Sequence, residues 1–458
     1  MSNTYSLKQI WDSNYQVSHF KQPVFRAFAE EKFQVDLNQG ATFNRQFASD
    51  LVVNSMGANG SYTVQGFTNT NESGVVNKKE EATIQIVEWQ KLQDHLPTQM
   101  KYTTKAANAL WLQVDAFVLY TIQQSAASYL DDASINGSAG ITGAPIVTAP
   151  QNVQSLFTSA IQQLQLLNVV YDPNKTLAKD VKLENISDAL CAAISPQVYN
   201  NLIQYIGGKT TVLGDTISRN GHVGMFMGFN LFVSNQLPWE GLLKLGTNPT
   251  AGDTITLLSG VAVSGVSQAI TLTFRATPSV AGDVVIASTA AKTVTNLVNA
   301  LKAPYTTISN TADTGFIALG ASSAAMTVTQ AKLLNNLNPV QTAVTTLGGA
   351  SSASGTTLDL FVAGLGNVPV SSVLTTGTNG WGYQCQHNIF GTSKSVSVLM
   401  QSNPHLYINP VSGSVAKDMV TWTLYGVKVF TDQSFQLVDA KIDSSNFGAN
   451  GTAVNVSN

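Results

Sequence analysis

Residues 104–131 read TKAANALWLQVDAFVLYTIQQSAASYLD. Within them Ala107, Leu110, Trp111, Val114, Val118, Ile122, Ala126 and Tyr129 recur at three- and four-residue steps, the spacing that brings side chains onto one face of an α-helix. Neither glycine nor proline interrupts the run. The spacing predicts one helix over 104–131, ~40 Å long at 1.5 Å per residue, where a mean helix has ~11–12 residues. An apolar stripe of that length has to be covered along the whole helix. The flanking segments are therefore expected to supply a sheet or further helices for it.

Upstream, the first ~40 residues mix aromatics (Tyr5, Trp11, Tyr15, Phe20, Phe25, Phe28, Phe33) with scattered charges and read as an arm with short helical pieces. Between Gly40 and Trp89 the pattern predicts a strand over 62–67, a polar tip over 68–74 and a second strand over 82–89. Two strands alone are marginally stable in water, so this excursion needs cover from its own chain or from a neighbour. Just before the second strand, Lys78, Lys79, Glu80 and Glu81 form a compact mixed-charge cluster. A solvated turn and a set of inter-subunit salt bridges explain it equally well, and exposed pairs contribute little unless networked.

Downstream, Leu156, Phe157, Ile161, Leu164 and Leu167 predict a helix over 153–168 that stops before Asp172-Pro173. An apolar strand over 189–194 runs into Ser195-Pro196, a helix start with proline in the first turn, and a helix follows to about Tyr205. Residues 224–235 alternate as a strand and end at Leu237-Pro238. Composition then shifts: residues 245–380 carry four acids (Asp253, Asp283, Asp313, Asp359) and four bases (Arg275, Lys292, Lys302, Lys332). Strands over 253–258 and 269–276, a helix over 289–301 and more strands to Thr329 suggest a small α+β domain. The Gly/Ser/Thr-rich tract 346–357 reads as a flexible connection. Two strands, 418–430 and 435–442, close the pattern, joined by Thr431, Asp432, Gln433 and Ser434, and the residues after Asp443 are expected to fray.

Only 11% of the 458 residues are charged and the net charge is −3, where a soluble protein carries ~25% charged residues. Ser, Thr, Asn and Gln stand in for the missing ions and cost less to desolvate, which suits surfaces that meet other protein. Near-neutrality also lets identical copies pack without strong self-repulsion. Residues 1–9 lack the basic-then-apolar pattern of a secretory signal, and no run of ~18 apolar residues occurs, so neither export nor a membrane span is expected. Cys191 and Cys385 are far apart and form no CxxC pair, which fits folding in a reducing cytosol. The Asn-x-Ser/Thr triplets at Asn71, Asn136 and Asn185 are read as chance.

Chemistry is hard to find in the sequence. His19, His95, His222, His387 and His405 stand singly, each expected as a surface or core histidine rather than a metal ligand. Gly208-Lys209-Thr210 matches the end of a phosphate-binding loop, but Ile203 replaces its first glycine. Neither a GxSxG elbow nor a GxGxxG fingerprint occurs, and the adjacent acids (Glu30-Glu31, Glu80-Glu81, Asp131-Asp132) do not share a face. No catalytic residue, cofactor or metal is expected, and the protein is not expected to be an enzyme. With 24 Lys+Arg against 27 Asp+Glu, no basic stripe for sequence-specific nucleic-acid binding is expected either.

Three phrases carry a family resemblance. Residues 189–199 (ALCAAISPQVY) run an apolar strand into Ser-Pro and a helix, residues 228–238 (GFNLFVSNQLP) follow a glycine, strand, Ser-Asn-x-Leu-Pro phrase, and YGVKVF at 425–430 precedes VDAKI at 438–442. With the order arm, extended loop and long helix, these resemble the major capsid proteins of tailed phages, the Hong Kong 97-type fold. The resemblance covers about 1–240 and 381–445. It implies an α+β fold divided into an N-terminal arm (1–40), an extended β loop (41–90), a peripheral domain with its spine helix (91–150), a first axial part (151–240), an axial return (381–415), and peripheral closing strands with the C-terminal tail (416–458). Residues 241–380 depart from the basic fold and read as an inserted small α+β domain with its linker, set outward on the shell.

The resemblance further implies pentamers and hexamers of this chain in an icosahedral shell around double-stranded DNA. A separate scaffolding protein, a portal and a decoration protein are the implied partners, and the virion head, assembled in the cytoplasm of a bacterial host, is the implied location. Some relatives crosslink through a lysine of the extended loop, where Lys78 and Lys79 lie. Two other readings share part of the pattern: an encapsulin-like protein compartment, and a β-rich adhesin or carbohydrate-binding protein.

Overall fold

The protein is described by a computed structural model covering residues 23–30, 42–48, 52–56, 59–66, 69–87, 98–167, 169, 190–209, 223–258, 262–263, 266–311, 313–343, 356–364, 368, 370–375 and 379–444. The long helix, α1, spans Thr98–Ser125. It has the predicted 28 residues but lies six positions earlier in the chain. The strong helix formers Gln99, Met100 and Lys101 extend its start. Beyond its end, the Asp131 carboxylate accepts amide hydrogens from Ser134 (2.9 Å) and Gly143 (2.7 Å) and so caps the next short helix, Asp132–Asn136. Tyr129, expected on the helix stripe, is 56% exposed in a short strand instead.

Leu110, Val114, Val118, Leu119 and Ile122 form the buried stripe of α1. The described part of the arm lies along it: Val24, Phe25 and Phe28 are buried there, and the Phe25 ring stacks on Trp111 at 6.2 Å. Asp115, fully buried in the middle of α1, anchors this segment by accepting the amide hydrogens of Val24 (2.8 Å) and Phe25 (2.7 Å) on one oxygen. Burial pushes its carboxyl up to about 6, against the pull of those two donors. The folded state therefore holds this proton more tightly than the unfolded chain, whose carboxyl titrates near ~3.9. The resulting stability is fully present below that value and is lost as the pH rises through about 6. Asp115→Asn should keep the acceptor and flatten this part of the stability–pH curve, whereas Asp115→Ala should cost ~2–4 kcal/mol by stranding two buried amides. Chemical denaturation at pH 4.5 and 8 distinguishes the two.

Strand β1 (Ala29–Glu30) is followed by β2 (Thr42–Ala48), β3 (Asn69–Val75) and β4 (Lys78–Val87). The extended loop differs from its prediction. β2 pairs with β3 in a two-stranded sheet of their own, from Thr42↔Val75 to Ala48↔Asn69. Residues 61–66 form no strand, and most of the expected polar tip is β3. Hydrophobic alternation marks strands with one covered face, and β3 (NTNESGV) is polar on both. Its root is held apolar: Phe43 packs edge-on against Phe430 at 5.9 Å, and a Cβ on Gly74 would lie 2.1 Å from the Phe43 ring, so glycine is required there. β4 leaves the excursion altogether.

After β5 (Ser128–Leu130), helix α2 (Val153–Leu166), β6 (Leu190–Ile194) and α3 (Pro196–Gly207) follow as the sequence predicts, with Ser195 capping α3 by accepting from the Val198 amide at 3.3 Å. Asp172-Pro173 lies outside the described residues. Then come β7 (Met225–Phe226), β8 (Phe229–Val233) and β9 (Trp239–Leu245). Across 241–380 the elements are β10 (Thr254–Leu257), β11 (Ala262–Val263), β12 (Val266–Ser267), β13 (Ile270–Arg275), β14 (Asp283–Val285), α4 (Ala290–Lys302), β15 (Ile308–Thr311), β16 (Thr314–Phe316), α5 (Val328–Asn336), β17 (Leu337–Ala343), β18 (Thr356–Val362) and β19 (Val370–Val373). The chain closes with β20 (Asn379–Thr392), β21 (Val396–Pro410), β22 (Ala416–Lys428) and β23 (Leu437–Asp443).

Three main sheets result. One runs β1-β21-β22-β4, and a six-stranded one runs β15-β16-β14-β13-β10-β19. The central sheet runs β17-β18-β9-β20-β6-β8-β7. β20 organises it: β9 and then β6 occupy one edge, and β23 occupies the other, continued by β5. Its even-numbered face buries Phe390, Ala192, Ile194, Val438 and Ala440 under α2 and α3, and its odd-numbered face buries Ile389, Cys191 and Ala193 under α1. The two closing strands, joined by a single helical turn at Thr431–Ser434 where a plain turn is expected, belong to different sheets, β22 with β4 and β23 with β20.

The α+β elements read in 241–380 appear near their predicted positions, but the segment does not end in loops: both of its ends lie within strands. Position 241 falls within β9 and position 381 within β20, and β17, β18, β9 and β20 are hydrogen-bonded neighbours in the central sheet. One apolar cluster contains Ile255, Leu272, Phe274, Val294, Leu297 and Leu301 together with Trp239, Leu243, Leu358, Leu360 and Trp381. Thr356 and Thr357, read as the end of a linker, begin β18; residues 346–355 lie outside the described set. Gly364, at φ +76°, crosses so close to α1 that a Cβ would lie 2.2 Å from that of Ala116. A fragment 245–345 lacks β18, β19 and the tryptophans that complete its core. It is expected to give poorly dispersed amide NMR signals, whereas a fragment 239–392 should be well dispersed.

Candidate functional site

Lys78, Lys79, Glu80 and Glu81, expected before a strand, are its first four residues. β4 pairs with β22 from Lys78↔Tyr425 to Val87↔Ala416, so alternate members face opposite ways. Lys78 and Glu80 turn inward. The Lys78 ammonium lies 4.1 Å from the centroid of Phe117 on α1, and Glu80 accepts a hydrogen bond from the Tyr425 hydroxyl at 3.0 Å. Burial raises the Glu80 carboxyl above its ordinary value despite that bond. Lys79 and Glu81 are exposed. The cluster is thus split by the pleat: one pair ties β4 to α1 and β22 within the subunit, and the other is open to solvent.

A second group, not anticipated from the sequence, converges in the central sheet. Cys385 and His387 alternate on β20, Glu240 sits opposite Cys385 on β9, and Asp439 and Lys441 alternate on β23 with Lys441 opposite His387. All five therefore lie on one face of the sheet, the face of Ile389 next to α1. His387 is 0% exposed, with Nδ1 2.8 Å from Asp439 Oδ2 and Nε2 3.1 Å from Glu240 Oε2. The Tyr383 hydroxyl donates to Glu240 Oε1 at 2.8 Å, and Lys441 Nζ lies 3.1 Å from Glu240 Oε2. Cys385 Sγ is 3.7 Å from Glu240 Oε2 and 4.0 Å from His387 Nε2.

These neighbours set the protonation of each group. Burial alone would lower the imidazole's pKa, but the Asp439 carboxylate outweighs it and holds His387 well above its ordinary value. Burial alone would raise Glu240, but His387, Lys441 and Tyr383 hold it down to about 2. Burial and the Glu240 charge push the Cys385 thiol up to about 11. In this state two cations, the His387 imidazolium and Lys441, balance two carboxylates, the condition under which ions are tolerated in a core. The signal was present as Cys-x-His at 385–387 and Asp-x-Lys at 439–441, spacings that share a face only once both segments are strands. The expectation that the histidines stand singly fails at His387. His19, His95 and His222 lie outside the described residues, and His405 packs on Trp422 at 4.3 Å.

Among the described residues no helix is long and apolar enough to cross a membrane. No family model matches the chain, and no curated protein resembles it in sequence. Solved structures do. A chain of Mycobacterium phage Che8 superposes with a TM-score of 0.52 at 10% identity, covering 96% of this chain and 98% of that one. The capsid structure of the cyanophage P-SCSP1u gives a TM-score of 0.47 at 10% identity, covering 95% and 92%. The head structure of the Helicobacter pylori bacteriophage KHP40 gives 0.45 at 9% identity, covering 95% of each chain. Over nearly its whole length this protein has the α+β fold of the Mycobacterium phage Che8 chain.

Proposed function

We infer that this chain is the major capsid protein of a tailed bacteriophage, a structural subunit that assembles as pentamers and hexamers into the icosahedral head around double-stranded DNA. The observation that carries this reading is the end-to-end correspondence with a phage chain, which covers the whole subunit rather than one module. The excursion beyond β2 and β3 supports it: Val52 (68%), Val53 (96%), Tyr62 (78%) and Val64 (81%) are exposed on a loop with little body of its own. Such a loop gains cover when it lies across a neighbouring copy. Lys79 and Glu81, exposed at its base, are inter-subunit contacts in this reading. A scaffolding protein, a portal and a decoration protein are the implied partners, the elements within 245–345 face outward, and the role is structural rather than catalytic.

Negative-stain microscopy of the expressed full chain should reveal closed shells. A subunit that stays monomeric under those conditions would overturn the reading. The excursion gives a sharper test. Removal of 62–86 would strip β4 from the body, so the informative variant replaces 50–67 with a short Gly/Ser turn between β2 and β3. It should melt like the parent subunit yet form no shells, and shells at the parental yield would refute the loop's role.

A further inference from the structure

The geometry points to a binding site for one divalent ion of the zinc class, formed by Glu240, Cys385 and His387 in the central sheet beneath α1. Their donor atoms form a triangle with edges of 3.1 Å (Oε2 to Nε2), 3.7 Å (Oε2 to Sγ) and 4.0 Å (Nε2 to Sγ). A tetrahedral zinc ion, with sulfur at ~2.3 Å and nitrogen or oxygen at ~2.0–2.1 Å, spaces its ligands by about 3.3–3.5 Å. The triangle meets this to within about half an ångström. Thiolate, imidazole and carboxylate together suit zinc rather than magnesium or calcium, which prefer oxygen alone.

The surroundings are those of a supported site. The second nitrogen of His387 is held by the Asp439 carboxylate at 2.8 Å, the arrangement that fixes a ligating ring and raises its basicity. Tyr383 holds the other oxygen of Glu240 and leaves Oε2 aimed at the triangle. Asp439, 4% exposed, keeps Oδ1 buried without a hydrogen-bond partner among the described residues, a surplus of negative potential beside the site. Lys441, its side chain 21% exposed, marks the side from which an ion and a fourth, water ligand would enter. Its ammonium already lies 3.4 Å from Glu240 Oε1 and can keep that oxygen when Oε2 turns to the metal.

The charges balance in both states. Without metal, imidazolium and ammonium offset two carboxylates. With it, the ion replaces two protons, one from His387 Nε2 and one from the Cys385 thiol, both released to solvent. The ion's two positive charges and the ammonium then offset two carboxylates and a thiolate. Binding is thus proton-linked and favoured by rising pH.

The test is to dialyse the purified, unassembled full chain against a chelator and titrate it with cobalt(II), a spectroscopic stand-in for zinc. One cobalt per chain is expected, with a thiolate-to-cobalt charge-transfer band and tetrahedral visible bands. The signal should be displaced by zinc, retained in Cys191→Ser and lost in Cys385→Ser, and zinc should raise the melting temperature of the parent alone. Absence of the charge-transfer band in the folded parent would overturn the site and leave a metal-free ion network. So would a band that persists in Cys385→Ser. The parent titration decides even if the serine variant misfolds.

Discussion

Replacing His387 with alanine should destabilise the unassembled subunit by ~3–5 kcal/mol, the cost of leaving a buried ion pair without one partner. The imidazole contacts both Glu240 on β9 and Asp439 on β23, and each carboxylate is 5% exposed or less. Without it, two negative charges face each other across β20, and Lys441 can neutralise only one. The carboxylates must then take up a proton or admit water, and either route costs folding free energy. Denaturant unfolding at pH 7, in the presence of a chelator, measures the loss. A change below ~1 kcal/mol would mean that the group is solvated and that the central sheet is not closed over it.

A larger effect is expected on α1. Val114 is 0% exposed and belongs to the apolar cluster that joins the helix to Phe25, Cys191, Ile389 and Tyr425. Val114→Asp places a carboxylate in this cluster beside Asp115, which is already buried and already carries a raised pKa. A second buried carboxyl is then added to the first, and the expected penalty exceeds ~4–5 kcal/mol, enough to unfold a domain of ordinary stability. The variant should accumulate as insoluble protein and form no shells, while Val114→Ala, which removes volume without adding charge, should cost only about 1–3 kcal/mol and remain soluble. Soluble yield and melting temperature separate the two. A soluble Val114→Asp protein with parental melting would show that the helix face is not covered.

Much of the architecture was legible before any coordinates. The 28-residue helix, the Ser195-Pro196 helix start, the two closing strands and the α+β elements within 241–380 all appear close to where apolar periodicity and local stop signals put them, with ends displaced by up to six residues. Local chemistry suffices for such features, because burial of one face writes its period into the sequence. β3 escaped because a strand solvated on both faces carries no such period. The edges of segment 241–380 escaped for another reason: whether its outer strands make a separate sheet or extend an existing one depends on β9 pairing with β18 and with β20, through residues more than a hundred positions apart.

Lys78–Glu81 and the group around His387 divide along the same line. Sequence by itself determined that residues 78–81 are charged, that Cys385 and His387 are two apart, and that Asp439 and Lys441 are two apart. Only the tertiary structure decided that alternate members of the first cluster face α1 and solvent, and that Glu240, some 145 positions before Cys385, meets the other four in a closed core. Side-chain period is a property of one strand, whereas which strands become neighbours is settled by how the sheets and α1 bury their apolar faces together.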